Sequence, residues 1–353
     1  MGTALAPALA ENHMNKILSL FDEAFVTDLF TREVLPHYPA FSSISRVLIK
    51  PYKNLVWETT YHVVIGFSVY FLKPTGEEIK IPIVCSAHSE EPRANIYQAL
   101  KYLRAVDFPT KIIDIPDPLF YSDYFRGTFY RGLKGEDLLY HIQKKEWKTV
   151  DRIVRAAARL FARLHSLPID ESANFNPLSS RIATVIPGVK RILEEIASRY
   201  QGKYQADLQK IYDFFIAQEE KHFSHGGEVA IIHGDAHPEN IIVTSAKRLG
   251  LIDFTDMCLS DPARDLGGFL QQLEYKIRTK TGDEDRAQEM KKLFLNTYLT
   301  AAGRESSADL EERIRLYYNW TAIRTATFWF LKFGHNEERA EGLLNKVKSD
   351  LSL

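Results

Sequence analysis

Residues 231–243 read Ile231-Ile232-His233-Gly234-Asp235-Ala236-His237-Pro238-Glu239-Asn240-Ile241-Ile242-Val243, and Leu251-Ile252-Asp253-Phe254 follows shortly after. Apolar runs on both sides of a polar loop predict strand, loop and strand, with a third strand ending at Asp253. A hairpin over residues 241–252, symmetric about Ala246 and Lys247, makes Asn240 and Asp253 cross-strand partners. Directly opposed residues have Cβ atoms about 4.5–5.5 Å apart. An amide oxygen and a carboxylate at that spacing can share one hard cation, so Asn240 and Asp253 are candidate magnesium ligands. Asp235, in the same loop, can face a cation-bound phosphate without ligating the metal. A carboxylate there can take a hydroxyl proton as the oxygen attacks phosphorus. Gly234 permits a positive φ at a tight bend, His233 can bond backbone groups to hold the loop, and Pro238 stiffens it.

Outward from this stretch the pattern divides the chain. Residues 14–35 place Ile17, Leu20, Phe21, Phe25, Leu29 and Phe30 at helical spacing, and Pro36 and Pro39 end that helix. Strands are predicted at Arg46–Lys50, Tyr61–Leu72 and Ile79–Ala87, the last two joined by a Pro74-Thr75-Gly76 turn. A helix at Ala94–Arg104 and strands at Ile112–Ile115 and Phe125–Arg131 follow. After Gly132 helical spacing dominates: Asp137–Gln143, Thr149–Ser166, Val189–Tyr200, Ala206–His222, Ala263–Lys280, Arg286–Ala301, Asp309–Phe333 and Asn336–Leu351. One island of strand, Val229–Ile252, interrupts them. There is no internal repeat and no low-complexity linker. The expected fold class is α+β: a tail and helix over residues 1–45, a small β-rich N-lobe over 46–132, and a large, mostly α-helical C-lobe over 133–353. The segment Tyr130–Gly135 is the expected hinge.

The ordered set His233-Gly234-Asp235-x-His237-Pro238-x-Asn240, Ile252-Asp253-Phe254 and Asp261-Pro262-Ala263-Arg264-Asp265-Leu266 resembles the aminoglycoside phosphotransferase and choline kinase superfamily of protein-kinase-like small-molecule kinases. Arg159–Leu167 resembles the helix that packs under this loop in that family. The resemblance runs from about residue 46 to about residue 335 and is strongest over 150–270. It implies a protein-kinase-like two-lobed fold, with ATP and magnesium as cofactors and transfer of the γ-phosphoryl to a small-molecule hydroxyl in a cleft between the lobes. By the same resemblance Asp235 is the catalytic base, Asn240 and Asp253 hold magnesium, and His233 and Asp265 support the catalytic loop. Tyr130 and Gly132, at the hinge, are candidate cofactor-binding positions.

The small lobe departs from the family pattern. The family's third strand carries a Lys or Arg that holds phosphates and pairs with a Glu of the next helix. Here that strand is Ile79-Lys80-Ile81-Pro82-Ile83-Val84-Cys85-Ser86-Ala87-His88, with no Lys or Arg near its end and Asn95 or Ile96 where the acid belongs. Arg93 is a candidate substitute cation, also read as cofactor-binding; its competing reading is a surface pair with Glu90 or Glu91. Residues 50–57 contain no glycine to cover phosphates. These departures keep a nucleotide-sensing pseudokinase, a binding module with weak or no catalysis, as the rival reading.

Composition narrows the partners. The 353 residues carry 45 Lys and Arg against 46 Asp and Glu, so no global field favours nucleic acid or an anionic membrane. Two cysteines are too few for a disulfide framework and point to a reducing, cytoplasmic setting. Neither Cys85 with His88 nor His233 and His237 with Cys258 has zinc-site spacing. Residues 1–13 read as a disordered tail: no basic residue precedes the apolar run, and Ala6 breaks the myristoylation pattern. Asp261-Pro262 reads as a helix cap with Pro at the first helical position. In the Asp309–Phe333 helix, Tyr317, Tyr318, Trp320, Phe328, Trp329 and Phe330 are expected mainly in the core, with some lining an acceptor pocket. Glu311 and Glu312 would suit a cationic aminoglycoside, and choline would call for an aromatic cage. Arg313, Arg315 and Arg324 would suit an anionic or sugar-phosphate acceptor.

Overall fold

The computed structural model describes residues 15–169, 171–332 and 336–353. The tail expected over residues 1–13 and the helix end expected at Phe333 lie outside the described residues. The strands are β1 (Ser43–Val56), β2 (Tyr61–Leu72), β3 (Glu78–His88), β4 (Ile113–Asp114), β5 (Asp117–Ser122), β6 (Gly127–Arg131), β7 (Glu136–Asp137), β8 (Ala230–Ile232), β9 (Ile241–Ser245), β10 (Arg248–Leu251) and β11 (Cys258–Ser260). The helices are α1 (Glu23–Glu33), α2 (Ala94–Ala105), α3 (Leu138–Gln143), α4 (Trp147–His165), α5 (Val189–Arg199), α6 (Gln205–Ser224), α7 (Ala263–Thr281), α8 (Glu284–Ala302), α9 (Ala308–Leu331) and α10 (Glu337–Leu351). The chain forms two compact units, one of residues up to Tyr97 with Asp117–Gly132, the other of Gln98–Pro116 with Leu133–Leu353.

The first unit is built on an antiparallel sheet ordered β1-β2-β3-β6-β5. Strand β2 alternates apart from the buried Gly66, with Val63, Ile65, Phe67, Val69 and Phe71 buried on one face, the period-two pattern of a sheet with one covered face. The cover is α1 and the short turn of helix before it. Ile17, Leu20, Val26, Leu29 and Phe30 join the same core, and the Phe30 ring meets Phe67 edge-on at 5.0 Å. The expected N-terminal helix is therefore divided: Asp22 accepts from the Phe25 amide and starts α1 afresh after a turn at Lys16–Phe21. Strand β5 was not foreseen; it contains Pro118 and sits at the sheet edge, where a missing N–H costs no ladder bond.

The second unit carries a four-stranded sheet ordered β4-β10-β9-β7 and a separate pair β11-β8 among its helices. Residues 98–116, grouped with the small lobe in the sequence reading, fall in this unit. Strand β4 pairs in parallel with β10, and the Arg163 guanidinium donates to the carbonyls of Asp107 and Phe108. Helix α4 buries Val150, Ile153, Val154, Ala157, Phe161 and Leu164, a stripe at helical spacing. Helix α7 is buried along most of its first three turns. It can lie against α9 because Gly267 has no side chain: a Cβ there would come within 2.6 Å of the Ile314 carbonyl oxygen and the Tyr318 nitrogen.

Candidate active site

Strand β8, buried at all three residues and paired with β11, delivers the polar loop that starts at His233. Gly234 turns the chain at φ +82°, and a Cβ there would collide with the Asp256 carbonyl, so glycine is required by conformation and by space. The loop is then tied from below. Asp265, in the first turn of α7, accepts from the His233 amide at 2.7 Å and the Gly234 amide at 2.9 Å. Its third bond is to His165 Nε2 at 3.1 Å, and His165 Nδ1 meets the Tyr298 hydroxyl at 2.9 Å. Burial would raise the Asp265 carboxyl, but His165, the His233 charge and the backbone donors outweigh it and leave it below its ordinary value. The His233 imidazole is fully buried, its Nε2 2.9 Å from the Ile252 carbonyl. It thus ties the loop to the end of β10 and does not line the cavity beside Asp235.

The hairpin corrects the expected register. Ser245 pairs with Arg248, but a bulge follows, so that Leu249 faces Val243 and Leu251 faces Ile241. The extra residue, Thr244, shifts every later pair by one. Asn240 consequently meets Ile252, whose amide donates to the Asn240 carbonyl at 3.1 Å, and Asp253 lies one residue beyond it. Asp253 then takes a left-handed φ of +63°, which turns its exposed carboxylate out of the strand's alternation. Its Oδ1 accepts from Thr255 at 2.8 Å. Asn240 is buried, and its Nδ2 donates to the Asp235 carbonyl at 2.9 Å, which assigns the amide oxygen to the opposite side. An amide oxygen and a carboxylate are the hard donors that magnesium takes from protein alongside water and phosphate oxygens. Among the described residues no three His, Cys, Asp or Glu side chains gather as a metal cluster.

Asp235 opens onto a cavity of about 440 Å³ lined entirely by the second unit. His237 lies between two carboxylates, 3.5 Å from Asp235 and 3.1 Å from Glu239, and Glu239 also pairs with Lys276. Burial pushes the His237 imidazolium down, but Asp235 and Glu239 more than reverse this and raise it to about 10. Burial likewise opposes ionisation of Asp235. His237, Arg324 at 4.0 Å and His233 prevail, and hold it well below the usual carboxylate range. Arg264, Trp320, Arg324, Tyr275, Phe328 and Trp329 are also in the wall.

The sequence reading named Arg324 and the aromatic residues but missed His237, Glu239, Lys276 and Arg264 as contributors to this cavity. His237 and Glu239 carried a signal, two titratable groups beside Asp235 in the quoted loop. Glu312 and Arg315 line a different cavity, and neither Glu311 nor Arg313 lines the one at Asp235. The reason is helical geometry: at about 1.5 Å rise per residue, the start of α9 lies too far along the axis from Arg324. The aromatic set divides, with Tyr317 and Phe330 in the core and Phe328 and Trp329 at the cavity; Trp320 belongs to both, buried and lining the wall. The expected cap shifts by one residue: Pro262 and not Asp261 stands at the N-cap of α7, and Asp261, just before it, accepts from the Ala263 amide at 2.9 Å.

The remaining candidates lie in the first unit. Tyr130 is in β6 opposite Val84, and the Gly132 amide donates to the Pro82 carbonyl at 2.9 Å. Arg93 is 6% exposed and pairs at 3.3 Å with Glu91, whose side chain is 38% exposed, so the competing pair with Glu91 is present and reaches the surface from a buried guanidinium. Its guanidinium is also 3.5 Å from His62 Nε2, and its Nε finds no partner among the described residues. His62 in turn sits 3.2 Å from Lys53 Nζ and stacks obliquely on His88 at 4.6 Å. Burial, Lys53, Arg93 and His88 together lower His62 to about 3. Lys80 lies toward the other end of β3, against the Tyr70 ring.

A family profile described as "Phosphotransferase enzyme family" matches residues 59–308. No curated protein matches the chain. Among solved structures, the streptomycin–ATP–APH(2'')-IIa ternary complex is similar at TM-score 0.53 and 18% identity, covering 92% of this chain and 96% of that one. A Plasmodium vivax ethanolamine kinase is similar at TM-score 0.53 and 14% identity, over 85% and 81% of the two chains. A choline/ethanolamine kinase family protein from Mesorhizobium loti gives TM-score 0.52 and 12% identity, over 92% and 93%. At such identities the likeness establishes the fold, the α+β kinase-like fold expected from the sequence.

Proposed function

The chain belongs to the phosphotransferase enzyme family, and on that footing we propose that it moves the γ-phosphoryl of ATP, with magnesium, to a hydroxyl of a small molecule seated in the cavity at Asp235. The observation that carries this reading is the Asp235 carboxylate in the wall of a 440 Å³ cavity, beside His237 and Arg324, on a loop whose backbone is fixed by a buried Asp–His pair. In the transfer, the acceptor oxygen forms a bond to the γ-phosphorus and the bond to the β–γ bridging oxygen breaks. ADP leaves with that electron pair, and the hydroxyl proton passes to Asp235. A carboxylate held so far down is a weak base. It suits a loose transition state, in which orienting the hydroxyl matters more than early removal of its proton. His237 and Arg324 position Asp235; Asp265, His165 and His233 position the loop.

Asn240 and Asp253 would hold magnesium, which when bound neutralises charge on the phosphates. Tyr130, Gly132 and Arg93 are our candidates for nucleotide contacts, Arg93 as the cation in place of the absent strand lysine. Its partnerless Nε supports that role, and Arg93→Ala should then weaken ATP far more than adenosine. The pairing of Arg93 with Glu91 favours the second reading, a nucleotide-sensing protein without transfer. The two free, buried cysteines are consistent with a reducing cytoplasm, and no described helix is long and apolar enough to cross a membrane. Incubation with ATP, magnesium and a pool of hydroxyl compounds, followed by mass spectrometry, tests the reading. A product gaining one phosphate, and lost in Asp235→Asn, is expected; ATP binding with no transfer to any compound would leave the sensing reading.

A further inference from the structure

The cavity at Asp235 holds more positive charge than its own carboxylates balance. Arg264 is 2% exposed, and of its five N–H groups only those on Nη1 find a protein acceptor, the Ser179 carbonyl; Nε and Nη2 have no partner among the described residues. Burying a guanidinium with open donors is costly unless something else accepts from them. Trp320 repeats the pattern, 1% exposed with a partnerless indole N–H. The two features are adjacent: the Arg264 guanidinium lies 4.7 Å from the Trp320 ring centre, and that of Arg324 lies 5.0 Å from it. Two guanidiniums therefore share one indole at the cavity wall.

The nearby acids do not relieve them. Glu239 is already paired with Lys276 and His237, and Asp235 with His237, so that among the described residues the one ion pair of Arg324 is the 4.0 Å contact with Asp235. Buried Glu219 is within electrostatic reach of Arg264, and half-buried Asp256 of Arg324 and Arg264, but both bond elsewhere. Glu219 accepts from the Ile182 amide at 2.7 Å and the Tyr317 hydroxyl at 2.9 Å, and Asp256 from the Ser179 hydroxyl at 2.8 Å. Burial raises both toward the neutral acid.

We propose that the acceptor is an anionic alcohol, whose carboxylate or phosphate group is taken by Arg264 and Arg324 while its hydroxyl meets Asp235. The proposal rests on the reading of Asp235 as the group that faces the acceptor hydroxyl, and it leaves the transfer step unchanged. An arginine fork gives parallel charge-assisted bonds to either anion, and the indole N–H adds a donor that only an acceptor atom can use. A polyamine or a quaternary ammonium would set its charge against two guanidiniums, so the same wall rejects cationic alcohols.

Titration calorimetry on the purified protein without nucleotide tests this, with D-glycerate and sn-glycerol 3-phosphate as anionic probes, glycerol as the neutral one, and choline and kanamycin as cations. At least one anionic probe should bind tenfold or more tightly than glycerol, and the pair tells carboxylate from phosphate. Arg324→Gln, at a partly exposed position, should lower that affinity tenfold or more. Arg264→Lys, which keeps the charge and loses the fork, should also lower it. Tighter binding of choline or kanamycin, no preference of either anion over glycerol, or anion binding unchanged in both variants would each overturn the proposal. A parallel titration with ATP and magnesium separates the two readings: its failure removes the phosphotransferase reading, whereas ATP binding with cation preference removes only this one.

Discussion

Two cavities of nearly equal volume, about 440 and 450 Å³, lie along helix α9, one at its second half beside Asp235 and one at its first half against α6. Both are rich in charge, and an arginine stands in the wall of each. In the cavity at α6, Arg313 pairs with Asp261, with Asp309 at 3.0 Å and with Glu228 at 3.8 Å, and Glu228 is held again by Arg304. In the cavity at Asp235, Arg264 meets one backbone carbonyl. The number of charges does not distinguish the two; among the described residues the buried donors left without a partner do, and they stand at Arg264 and Trp320. A wall whose ions are satisfied internally is structural, and a wall with open donors has binding energy left for a ligand.

The largest expected effect separates the cavities by activity. Asp235→Asn should lower turnover by about 10²- to 10⁴-fold with ATP affinity held, whereas Arg315→Ala in the other cavity should change it by no more than about twofold. Equal losses in steady-state assays would erase the distinction. Next is the support beneath the loop: Asp265→Ala strands two amides and His165 in a buried place and should cost roughly 3–5 kcal/mol in urea unfolding. A loss under about 1 kcal/mol would show that the loop holds itself, since that is what one ordinary hydrogen bond contributes. Gly267 faces α9 at Ile314–Tyr318, between the cavities, and Gly267→Ala should cost about 1–3 kcal/mol by overpacking. It should also disturb ligand binding at Asp235, because Trp320 and Arg324 move with α9.

A further test is one of pH. His237 is raised in the fold from its ordinary 6.5 to about 10, so its stabilising contribution is complete below about pH 6.5 and lost as pH rises toward 10. Unfolding followed from pH 6 to 10 should show that decline in wild type and a weaker one in His237→Ala. Identical profiles would mean that His237 is not the proton holder between Asp235 and Glu239.

Helix and strand placement in the second unit was legible because it depends on local periodicity: β8, β9, β10 and each long helix fall close to where the apolar spacing puts them. The hairpin register was not legible. Whether Thr244 bulges depends on how β9 meets both β7 and β10, and a one-residue shift leaves the hydrophobic pattern of so short a strand almost unchanged. The grouping of residues 98–116 was also hidden, since two residues of β4 decide it through a parallel pairing more than a hundred residues away in the chain.

By itself the sequence determined the candidate chemistry of the loop. His233, Gly234, Asp235, Asn240 and Asp253 stand close together in the chain, so their order and spacing already restrict what they can do. Only the tertiary structure decided which side chains surround Asp235. Arg264 comes from α7 and Trp320 and Arg324 from α9, and they converge because Gly267 lets the two helices touch. The charge of a cavity is a sum over side chains that meet in space, and Arg313 and Arg264 are the same residue type until their partners are known.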